Sequence, residues 1–236
     1  VGAITDGGMR FTKTALYAPY VTCWFHQAVL RSPFIYDRVT GDGKWIMINQ
    51  LGMTDSPTTI TGCTFSATSS AAYQFRAALV NSPVTITDSN ILSTVTGGNY
   101  NCIMFANTLT DSAVTLTNTV LTHYYVGIWA TQTWTRSPFV MTGGSSVTAM
   151  YGLIFLHLTD SPVSILQSTV TTTTVQRSLD VRGVATRSDL NIVDSSVGGG
   201  VSTRYMANVV GPCTIAVTNS VLTSTYDPNA DGFHFA

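Results

Sequence analysis

At 236 residues the chain is long enough for one large core, and a formal net charge of −1 with 10% charged residues leaves no basic surface for nucleic acid or an acidic membrane. All 12 acidic residues are aspartate and lysine occurs only at Lys13 and Lys44, so the strong helix formers are scarce while Thr, Val, Ser and Ile abound. That balance predicts an all-β chain. The apolar runs are strand-length and broken by Thr, Ser or Asn, which excludes membrane insertion by a helix and a signal peptide.

Residues 1–22 match the later pattern poorly and read as a lead-in or cap, with residues 23–236 forming one domain. A polar corner then recurs at Ser32, Ser56, Ser82, Ser112, Ser137, Ser161, Ser188 and Cys213, in steps of 24, 26, 30, 25, 24, 27 and 25 residues. A period of this length, in units that cannot bury their own apolar faces, predicts a stacked solenoid. Two positions after the corner stand Phe34, Thr58, Val84, Val114, Phe139, Val163, Leu190 and Ile215. Four positions after it stand Tyr36, Ile60, Ile86, Leu116, Met141, Ile165, Ile192 and Val217. Side chains alternate along a strand, so both columns point inward. Seven positions before the corner, the column through Phe25, Asn49, Phe75, Phe105, Ala130, Ile154, Val181 and Met206 is read inward as well. The column before that, through Trp24, Ile48, Gln74, Met104, Trp129, Leu153, Asp180 and Tyr205, is read as an outward apolar stripe suited to an interface.

A further short strand follows each corner strand (NILST, TVLTH, STVTT, SVLTS), which makes three strands per turn. In this architecture the chain resembles the pectate-lyase-like family: a single-stranded right-handed parallel β-helix, a solenoid of about eight turns of about 25 residues. In its Thr/Ser/Asn-rich, charge-poor style it is most similar to the shafts of bacteriophage tailspikes. The resemblance covers residues 23–236 and rests on repeat architecture, with no catalytic motif matched. It implies a fibre segment on a virion surface or outside the cell, a homo-oligomer of trimeric form, and recognition of cell-surface polysaccharide. A polysaccharide lyase or glycosidase on the same scaffold is the alternative, and a purely structural shaft or bacterial adhesin is a third.

For sugar stacking the candidates are Tyr124, Tyr125, Tyr151 and Tyr226. For catalysis they are Asp37 and Asp42 in an early loop with Arg38 and Lys44, and Asp180 with Arg182 late in the chain. Carbohydrate-cleaving sites need either two carboxyl groups at a set separation or an aspartate with a cation. Asp227, Asn229 and Asp231 with Gly232 match the front half of a calcium loop, which makes Ca²⁺ the one candidate cofactor. The residue before the corner alternates charge from Asp111 through Arg136 and Asp160 to Arg187, a pattern that predicts an ion-pair ladder rather than an acid and base. The histidines, His26, His123, His157 and His234, share no column and read as surface or corner residues. The cysteines, Cys23, Cys63, Cys102 and Cys213, lie at different columns and are expected as free thiols.

Overall fold

A computed structural model describes residues 3–49, 51–68, 71–93, 101–174, 176–199, 203–205, 208–223 and 233–234. The chain coils into a parallel β-solenoid of about eight turns at about 25 residues each. Its most regular wall is a nine-stranded parallel sheet. In chain order its strands are Met9–Thr12, Phe34–Asp37, Thr58–Thr61, Val84–Thr87, Val114–Thr117, Phe139–Thr142, Val163–Leu166, Leu190–Val193 and Ile215–Thr218.

Phe34, Thr58, Val84, Val114, Phe139, Val163, Leu190 and Ile215 stack in register, as the corner spacing requires. From Phe34 through Ile192 the two inward columns are buried. Two further strand columns complete each turn, one short (Thr64–Ala67, Asn90–Ser93, Val120–Thr122 and their successors) and one long (Val126–Thr135, Tyr151–Thr159). Inside, rings pile turn on turn: Phe75 stacks on Phe105 at 5.0 Å, and Trp134 stands edge-on to both Phe105 and Phe155 at 5.2 Å.

Regularity begins earlier than the corner serines indicate. Ile4–Thr5 pairs with Val29–Leu30, Met9–Thr12 with Phe34–Asp37, and Ala15–Phe25 with Thr40–Asn49. Gly7 stands where a corner serine would, and its N–H donates to Ser32 Oγ at 3.1 Å.

The corner explains why serine recurs. The residue before it adopts left-handed backbone, with φ of 46–52° at Asp6, Arg31, Asp55, Asn81, Asp111, Arg136, Asp160 and Arg187. Asp and Asn tolerate that region better than most residues. The turn drives the serine side chain inside, where its hydroxyl serves two otherwise stranded backbone groups. Ser82 N–H donates to Ser112 Oγ at 2.9 Å, and Ser112 Oγ donates to Thr110 O at 2.9 Å. The same relay runs from Ser32 to Ser188 and ends on Cys213 Sγ.

A second corner of the same kind lies seven residues on, which the single-corner reading missed. Left-handed Arg38, Gly62, Asp88, Asn118, Gly143, Gln167, Asp194 and Asn219 mark it. Cys63, Ser89, Thr119, Ser145, Ser168 and Ser195 supply its buried hydroxyls and a thiol, and half-buried Ser220 continues them. All four cysteines are free, as expected, and Cys63 and Cys213 occupy corner-serine places.

The charge column resolves into separate pairs instead of a continuous ladder. Arg136 forks onto Asp111 at 2.7 Å through both oxygens, Arg187 onto Asp160 at 2.6 and 2.7 Å, and Arg31 onto Asp6. A bidentate fork occupies both carboxylate oxygens, so each aspartate serves one arginine.

Candidate carbohydrate-binding face

The long strands Ala15–Phe25 and Thr40–Asn49 run on from the column of Thr64–Ala67 into that of Tyr73–Phe75, and bulges decide which of their side chains point outward. Between Ala18 and Val21 the first long strand carries one residue more than its neighbour. Tyr17 and Trp24 lie seven apart and would otherwise point to opposite sides; the extra residue returns them to the same side. Tyr17 is 72% exposed, Tyr20 52% and Trp24 41%. Trp24 stacks on His26 at 4.3 Å, and Lys44 Nζ lies 5.2 Å from the centre of the Tyr20 ring. Tyr17 and Asp42 are register partners, and with Ala18, Gly43 and Thr68 they line a groove of about 340 Å³.

A second bulge, between Ala130 and Thr133, shifts the register of the following turn by one. Trp129 therefore pairs with Ile154 rather than Leu153, and Phe155 takes the inward place read for Ile154. Asp180 follows Ile154 and is succeeded by Arg204 in place of Tyr205. The outward column is thus no continuous wet stripe: Trp24 is open, Gln74 and Ile154 are buried, and Asp180 is fully buried.

Asp180 is buried because its neighbours fold over it. Arg182 Nε donates to Asp180 Oδ2 at 2.8 Å, and Arg177, from the loop before the strand, approaches the same oxygen at 3.4 Å. The Arg182 guanidinium lies 5.7 Å from the centre of the Tyr151 ring, and Tyr151 meets Tyr125 edge-on at 5.3 Å. Tyr125, Val126, Trp129, Tyr151, Ile154 and Arg182 enclose a pocket of about 50 Å³. Burial pushes the Tyr151 hydroxyl above its ordinary pKa, helped by Tyr125 and opposed by the two arginines. The backbones here approach so closely that a Cβ on Gly152 would lie 2.2 Å from Ser178 O in the next turn, so only glycine fits beside Tyr151.

Four of the residues named from sequence, Tyr125, Tyr151, Asp180 and Arg182, therefore meet in one place. Tyr124 is exposed beside them. The early quartet does not converge. Asp37 and Arg38 pair with each other at the second corner, at 2.9 Å for both contacts, which holds the Asp37 carboxyl below its usual range. Asp42 and Lys44 lie beyond that corner on the long strand. Tyr226, Asp227, Asn229 and Asp231 fall outside the described residues, and among the described residues no cluster of metal-ligating side chains occurs. His123 is buried rather than superficial: Tyr125 N–H donates to its Nδ1 at 2.8 Å, and desolvation lowers its pKa to about 4.

Tyr17 and Tyr20 were not singled out from sequence, whereas Trp24 heads the column read as outward and is exposed. The signal for the two tyrosines was the Asp6-Gly7-Gly8 corner, which substitutes for the serine corner and places residues 9–25 in the repeat.

The molecule is a parallel β-solenoid with an outer groove bounded by Tyr17, Asp42 and Thr68. No protein-family model matches the chain, and no curated protein matches it.

Proposed function

We propose that the protein is a tailspike-like fibre segment that recognises host cell-surface polysaccharide through the outer face of its long strands. The observation that carries this reading is the groove at Tyr17 and Asp42. Its volume of about 340 Å³ suits a small ligand, and the exposed ring of Tyr17 lines it together with a few polar groups. Aromatic faces left in water on a rigid backbone offer stacking surface at little entropic cost. Asp42, Thr68 and Lys44 supply hydrogen-bonding groups for sugar hydroxyls. Binding is favoured over cleavage because, among the described residues, Asp42 is the single carboxylate lining this groove, whereas the two-carboxyl mechanisms need a partner within about 5–9.5 Å.

The test is incubation with a panel of bacterial capsular and O-antigen polysaccharides, reading both binding and fragment release. Binding without release is expected, and Tyr17→Ala should weaken it about tenfold, ~1.4 kcal/mol, with the melting temperature unchanged. Fragment release abolished by Asp42→Asn would make the protein an enzyme, and no binding to any glycan would leave a structural shaft. Assembly as a homotrimer belongs to the same reading and rests on the resemblance to tailspike shafts; a monomer in sedimentation would remove it.

A further inference from the structure

The pocket at Arg182 is separate from the Tyr17 groove and differs from it in charge. Among the described side chains here, Arg177 and Arg182 carry two positive charges against one negative charge on Asp180, an excess of one on a chain whose net charge is −1. Arg182 is held from two sides, with Nε on Asp180 and its plane over Tyr151. Among the described residues nothing accepts from its terminal nitrogens, and the guanidinium lines the pocket. A guanidinium whose edge and face are already fixed presents its remaining donors in a set direction, which suits the two oxygens of a carboxylate. The other walls, Val126, Trp129, Ile154 and the two tyrosines, are apolar or aromatic. About 50 Å³ holds a substituent the size of one or two waters rather than a sugar ring, so the ring would rest on the tyrosine rim.

We propose that this pocket seats the carboxylate of an acidic sugar, so that the polysaccharide recognised carries uronate-type or sialate-type residues. The inference rests on the polysaccharide-binding reading and names its ligand class. Glucuronate, galacturonate and N-acetylneuraminate are each titrated against their own methyl esters by saturation-transfer NMR on the intact protein. At least one free acid should bind about tenfold more tightly than its ester. That preference should fall as salt rises, disappear in Arg182→Gln and survive in part in Arg182→Lys. Tyr17→Ala should weaken polysaccharide binding while leaving the preference for acid over ester in place. Equal binding of every acid and ester, or a preference that persists in Arg182→Gln, overturns the inference. The ester comparison decides on the unmodified protein even if the variants fold poorly. Neutral glycans that bind without any acid preference would overturn this inference alone, whereas failure of every glycan on the panel would remove the functional reading and this one with it.

Discussion

The serine corner and the outer face of the long strands share one backbone and obey opposite rules. At the corner each residue has a structural task that repeats every turn. A left-handed residue makes the bend, and the next, usually serine, accepts an N–H from the preceding turn and donates to its own turn, as Ser112 does between Ser82 and Thr110. On the outer face no task recurs: Trp24, Gln74, Met104, Trp129, Ile154 and Asp180 occupy one register column and range from open to fully buried. The repeat constrains one surface and frees the other, and the freed surface carries the unusual chemistry.

The contrast is broken most strongly from inside. Leu116 stacks between Ile86 and Met141 with no exposure. Leu116→Ala should cost about 2–5 kcal/mol in denaturant unfolding, because it leaves a cavity between rigid rungs. Ser112→Ala should cost less, about 1–3 kcal/mol, since it strands the buried Ser82 N–H without opening much space. Ser112→Cys sharpens the comparison: Cys213 already accepts Ser188 N–H at 3.2 Å in the equivalent place, so cysteine should recover most of the loss. Equal stability of the parent and the alanine variant would mean that the hydroxyl relay contributes nothing.

The same division explains what the sequence made legible. Columns two and four places after the corner could be read because strand alternation and corner spacing agree there without interruption from Phe34 to Val217. The outer column was misassigned at Leu153 because a one-residue bulge between Ala130 and Thr133 leaves no compositional trace, and a slip of one inverts inside and outside. Tyr17 went unread for a related reason, since a bulge between Ala18 and Val21 breaks the alternation that would have linked it to Trp24. Asp180 and Arg182 were found as chemistry-bearing types, but the burial of Asp180 comes with Arg177 on the preceding loop, whose path no periodicity encodes. The second corner was visible in retrospect, since Thr87-Asp88-Ser89 repeats the form of Thr110-Asp111-Ser112 within each turn.

Acid should act next, and at a site between the two regimes. His123 closes a short strand and accepts the N–H of Tyr125, beside the Arg182 pocket, with its pKa lowered from 6.5 to about 4 by burial. Between those values the unfolded chain binds a proton that the folded chain refuses, so stability falls as pH drops from about 6.5 through about 4. The corner aspartates Asp111 and Asp160, also lowered, add their loss further down, as pH falls through their folded values. His123→Asn keeps an acceptor for Tyr125 and removes the titration, so its melting temperature should stay flat from pH 6.5 to about 4.5 while the parent's declines. Parallel profiles would mean that His123 gains no proton on unfolding in that range.

The smallest effect expected is at Arg136, where two contributions oppose. Its fork onto Asp111 is exposed and screened by salt, and its φ of 47° is one that arginine adopts only against a steric penalty. Alanine loses the pair and keeps the penalty, so Arg136→Ala should melt below the parent. Glycine loses the pair but is at ease in left-handed backbone, so Arg136→Gly should melt close to the parent at low salt and above it at high salt, where the pair counts for less. Asparagine tolerates the conformation and can still reach the neighbouring carboxylate, as Asn81 does with Asp55 at 2.6 Å in the same column. Arg136→Asn should therefore equal or exceed the parent at every salt concentration. If the glycine and asparagine variants both melt with the alanine variant, the ion pair and not the backbone decides what the corner accepts, and the arginines at Arg31 and Arg187 are there for their charge.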